Sequence, residues 1–77
     1  MMHIGQLIKM ELETQERTPT WLAKKINCDR TNIYRIFDRE SIDTALLSRI
    51  SIALNRNFFA ELSAQYKGKC DESATNP

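Results

Sequence analysis

The sequence predicts an all-α fold, a compact five-helix bundle. Two observations carry this expectation. Apolar residues recur at three- and four-residue spacing through residues 4–62, with no alternating run that would signal a strand. Short polar stretches interrupt that period, and each contains a residue suited to begin or end a helix. At 77 residues the chain makes one domain at most, with a small core. We expect that domain to span residues 1–67, followed by a disordered tail at 68–77, because GKCDESATNP has no periodicity.

The first element is expected at about 3–14. Ile4, Leu7, Ile8 and Leu12 form one stripe, Met10 lies off it, and Lys9, Glu11 and Glu13 take the other side. Gln15 to Thr18 is polar and connects. Thr18-Pro19 then reads as a helix start, since Thr can cap and Pro lacks an N–H that would be unsatisfied there. Trp21, Leu22 and Ile26 follow, with small Ala23 permitting close approach, and Asn27 is suited to a left-handed closing residue. This second helix is short, about 19–26.

Asp29 begins a third helix, about 29–38. Its carboxylate is expected to accept from the N–H of Thr31 or Asn32. Ile33, Ile36 and Phe37 form the inward stripe. Asp38 to Ile42 is a loop. Asp43 caps a fourth helix over 44–54 whose apolar face is Leu46, Leu47, Ile50, Ala53 and Leu54. Asn57 caps a fifth, holding Phe58, Phe59, Leu62 and Tyr66. The adjacent phenylalanines cannot point the same way. We assign Phe58 to the core and expect Phe59 at a dimer contact.

The outward side of the third helix is unusual. Arg30, Thr31, Asn32, Tyr34 and Arg35 crowd it, in place of the Glu/Lys mixture of an ordinary solvated face. The whole chain carries a net charge of only +1. Residues 17–39 carry six basic and two acidic residues, hence +4, so the remainder is −3. Arg can bond guanine O6 and N7 in parallel, Thr can contact a base through its hydroxyl or methyl, and Asn32 can read adenine or hold phosphate. The preceding helix ends two or three residues earlier, which is helix-turn-helix spacing.

The stretch LAKKINCDRTNIYRI, together with Leu46, Ile50, Ala53 and Leu54, resembles the phage repressor and Cro (Xre-type) family of helix-turn-helix domains. The resemblance covers about residues 4–63. It implies a DNA-binding transcriptional regulator that places the third helix in the major groove. It further implies that Arg30, Thr31 and Arg35 read bases with Tyr34 beside them, and that Thr18, Thr20 and the backbone at Thr44 lie near phosphate. Asn32 and Arg39 complete the expected phosphate contacts. The sequence departs from the family pattern in four places. Asn27 replaces a turn glycine, Phe37 stands where Glu is common, Arg56 stands where a small aliphatic enters the core, and Trp21 is large for its position. We expect Trp21 to cover the first helix.

The expected partners are double-stranded DNA and a second copy of the chain, joined through the C-terminal helix near Phe59. A protein-interaction module that keeps the fold without binding DNA, in an antitoxin-like or adaptor role, is the alternative. RNA has little support, because Tyr34 is the only exposed aromatic expected near the basic segment. No catalytic set is visible: one histidine, His3, lies near a terminus, and no glycine-rich phosphate loop occurs. Cys28 and Cys70 lack metal-ligand spacing, so Cys28 is expected as a small buried thiol and no metal or cofactor is expected. No small-molecule effector or membrane segment is expected either, and the cytoplasm is the expected location.

Overall fold

The computed structural model describes residues 3–65. Its elements are α1 (Ile4–Thr14), α2 (Pro19–Lys25), α3 (Arg30–Phe37), α4 (Thr44–Leu54) and α5, described over 58–65. The described residues contain no strand. The expected ends of the first four helices agree with these bounds to within one residue. Tyr66, Cys70 and the expected tail at 68–77 lie outside the described residues.

Each helix is too short to be stable alone, so its stability comes from the face it buries. That face is the one expected. Ile4, Ile8 and Leu12 from α1 meet Leu22 and Ala23 from α2 and Ile33, Ile36 and Phe37 from α3. Leu47, Ile50 and Leu54 from α4 and Phe58 from α5 complete one core. Phe58 is fully buried while Phe59 is 37% exposed, as their adjacency requires.

Local chemistry sets the helix ends. The Thr18 hydroxyl accepts from Trp21 N–H at 3.0 Å, the Asp43 carboxylate from Leu46 N–H at 2.7 Å, and Asn57 Oδ1 from Ala60 N–H at 3.1 Å. Asp29 differs from expectation. It occupies the cap position of α3, but its carboxylate makes no capping bond. Its backbone carbonyl instead accepts from Asn32 N–H, at 3.0 Å, and from the Cys28 thiol. Left-handed residues close three connections: Glu16, Asn27 and Asn55, with φ of 58°, 57° and 54°.

The α1 start is docked by its backbone. Ile4 N–H donates to Glu40 O at 3.0 Å and Gly5 N–H to Arg39 O at 2.9 Å. A Cβ at Gly5 would overlap the carbonyls of Ile36 and Phe37. Only glycine permits this approach of α1 to the end of α3.

Arg56, out of place for a core aliphatic, is accommodated as an ion-pair hub. It donates to Glu11 on α1 at 2.6 Å and to both carboxylate oxygens of Glu61 on α5, at 2.6 and 2.5 Å. Its guanidinium also lies over the Phe58 ring, 5.0 Å from the centroid. α4 itself ends cleanly at Leu54, with Asn55 as its left-handed closing residue.

Candidate nucleic-acid interface

The α2–α3 pair is built from the inside outward. Leu22, Ala23 and Ile26 on one side and Ile33 on the other are buried, so both helices are held by their inner faces. The turn between them needs one left-handed residue, and Asn27 supplies it. Cys28 N–H donates to Ala23 O at 2.9 Å across that turn, and Arg49 of α4 donates to the Ile26 carbonyl. The turn between α2 and α3 is thereby joined to α4.

With Ile33, Ile36 and Phe37 turned inward, the opposite side of α3 passes through Thr31 and Arg35, since successive residues are about 100° apart. Arg30, Thr31, Asn32 and Arg35 are exposed, and Tyr34 is 52% exposed. Thr31, Tyr34 and Arg35 therefore share one accessible surface, while Arg30, seven residues before Phe37, lies exposed at its edge in the first turn. The Tyr34 ring stands edge-on to Phe37, with centroids 5.9 Å apart and planes at 87°, which fixes its direction.

The expected phosphate contacts are more dispersed. Asn32 and Arg39, with Arg35 of the expected base-reading set, line a cleft of about 290 Å³ between α3 and α4, with Cys28 and Leu46 behind them. Thr18 and Thr20 are exposed at the start of α2. The Thr18 oxygen is engaged as the cap but keeps its O–H for donation. Thr44 is exposed in the first turn of α4, beside the Asp43 carboxylate, whose negative charge opposes phosphate there.

Among the described residues, every ion pair within 4.0 Å involves Arg56. The arginines of α3 and its following loop are thus not neutralised by a described carboxylate. Cys28 is half-buried, not fully buried as expected, because it sits in the turn at the edge of the core. Burial chiefly pushes its thiol above the ordinary range, Arg49 lowers it and Asp29 raises it. No group of three or more metal-ligating side chains occurs among the described residues.

The Arg49 bond and the cations on the Trp21 ring were not expected from the sequence. Arg49 pins the α2–α3 turn from 23 residues away. Trp21 is half-buried on the core as a cover, and its ring also carries two cations: Arg17, 4.6 Å from the centroid, and Lys25, at 5.6 Å. The spacing of Arg17, Trp21 and Lys25, four residues each, was the available signal. Compared with protein-family models, curated proteins and solved structures, the chain has no significant match in any of the three.

Proposed function

We propose that the chain is a sequence-specific binder of double-stranded DNA, acting as a small transcriptional regulator of the repressor/Cro type. It binds an operator with α3 in the major groove and so blocks or assists polymerase. One observation carries this reading. α3 presents Thr31, Tyr34 and Arg35 on one exposed surface with Arg30 exposed at its N-terminal edge, while its other face is fixed in the core behind a tight turn. The major groove admits one helix, and two arginines with a threonine supply guanine and thymine contacts. The local charge of +4 over residues 17–39 supplies the non-specific attraction. In this reading Asn32, Arg39, Thr18 and Thr20 hold the flanking phosphates, the Thr44 backbone reaches one only against the Asp43 charge, and the chain is not an enzyme. No helix among the described residues is long and apolar enough to cross a membrane, and we place the protein in the cytoplasm with its DNA.

A second copy completes the reading. Ile52 is 78% and Phe59 37% exposed, and they flank a groove of about 450 Å³ with Ser48 and Asn55. The Ser51 hydroxyl in that groove has no hydrogen-bond partner among the described residues. A dimer joined there would present two α3 helices to half-sites about one turn apart.

The same apolar groove favours the alternative, an interaction module for another protein. Selection from random-sequence duplexes at moderate salt decides between them. The expected outcome is a recovered motif, palindromic for a dimer, with binding abolished in Arg30→Ala/Arg35→Ala. Absence of any duplex binding at low salt would reject DNA as the partner. Retention of a protein partner by that double variant would then support the alternative.

A further inference from the structure

We propose that the cleft between α1 and α3, with Arg17 held on the Trp21 ring, seats a phosphodiester of the bound duplex. Trp21 is then a positioning residue for a backbone contact outside the recognition helix. The inference rests on the DNA-binding reading above and extends it to residues that reading does not use.

Arg17 is anchored through its backbone and rests its exposed side chain on one ring. Its backbone N–H donates to Leu12 O at 2.8 Å, and the next residue, Thr18, caps α2. Its guanidinium carbon lies 4.6 Å from the Trp21 ring centroid, where the ring's electron-rich face attracts a cation. A long side chain held this way has less rotamer freedom to lose on binding. Its planar fork matches two oxygens of one phosphate, which an ammonium cannot do.

The cleft beside it is about 160 Å³. Leu12 and Phe37 form its floor, Tyr34 its wall, and Lys9, Arg17 and Glu13 its rim. Two cations against one carboxylate leave the rim net positive. Tyr34 is the geometric link. Its ring belongs both to this cleft and to the exposed surface of α3, so a duplex lying on α3 brings a phosphate to the cleft. Lys25, 5.6 Å from the Trp21 centroid, continues the positive charge along α2.

The test is duplex binding at a series of salt concentrations, with Arg30→Ala/Arg35→Ala as reference. Arg17→Ala is expected to bind about tenfold more weakly. It should also give a log–log salt slope shallower by about 0.9, one phosphate's worth. Trp21→Leu should weaken binding with little change of slope, because the charge stays but is no longer placed. Trp21→Phe should restore most of the affinity, and Arg17→Ala/Trp21→Leu should be no weaker than Arg17→Ala alone. Trp21 is the sole tryptophan, so its emission should shift at the binding midpoint.

Wild-type affinity and slope in Arg17→Ala, with binding abolished in the reference variant, would overturn the cleft contact and leave the DNA reading standing. Equal affinity for Trp21→Leu and Trp21→Phe would overturn the positioning role. No duplex binding by the wild type would overturn both readings. Circular dichroism checks folding; should Trp21→Leu unfold, Arg17→Ala and Trp21→Phe still decide the contact.

Discussion

At the scale of single residues, two backbone positions carry more weight than their side chains suggest. Gly5 brings α1 against the carbonyls of Ile36 and Phe37, leaving no space for a methyl group. Gly5→Ala is therefore expected to destabilise by about 2–3 kcal/mol, the scale of forced overpacking, although alanine favours helices. A melting temperature equal to wild type would refute this close approach. Glu16 is the converse. It sits at φ 58° with a Cβ, whereas the other two left-handed positions are asparagines. Glu16→Gly should raise stability by roughly 0.5–1 kcal/mol in a denaturant titration, while Asn27→Gly and Asn55→Gly should be nearly neutral.

At the scale of elements, α1 to α4, seven to eleven residues long, persist because each contributes two or three buried side chains to a shared core. Leu22 on α2 and Ile33 on α3 are both fully buried. Each cut to alanine should lose about 2–5 kcal/mol. Because a domain this small has little stability in reserve, both variants should also lose the proposed DNA binding through unfolding. Ile33→Val should cost only about 0.5–1.5 kcal/mol and keep the interface. A Leu22→Ala protein with wild-type thermal stability would sink the proposed packing of this pair.

At the scale of the whole molecule, α5 is tied to α1 by charge as well as by Phe58. Hydrogen bonding from Arg56 holds the Glu61 carboxyl below its ordinary range, and the Glu61 carboxylate in turn raises the Arg56 guanidinium. A carboxyl with a lowered folded pKa contributes stability that is present above its unfolded value, 4.5, and lost as pH falls through the folded value. Thermal stability should therefore decline as pH drops below about 4.5, and Glu61→Gln should flatten part of that decline. The pair is partly exposed, so the effect is small, about 1 kcal/mol or less. Identical acid profiles for the variant and wild type would show that the pair contributes nothing to stability.

By itself the sequence determined which face of each helix is buried and where α1 to α4 stop. These depend on interactions within one or two turns: a stripe such as Ile33, Ile36 and Phe37, or a cap such as Asp43 onto Leu46. The exposed set on α3 was legible for the same reason, since it is what the buried stripe leaves over. Even locally there was a limit. Asp29 has the right residue type for a cap, yet its backbone carbonyl and not its carboxylate serves the first turn. Only the tertiary structure decided what lies across long sequence separations. Gly5 against Phe37, Arg49 on the Ile26 carbonyl, Arg56 between Glu11 and Glu61, and Lys9 beside Arg17 and Tyr34 all depend on how helices dock. Docking is set by the fit of whole packed faces, and a hydrophobic period specifies that a face is buried without specifying what it meets.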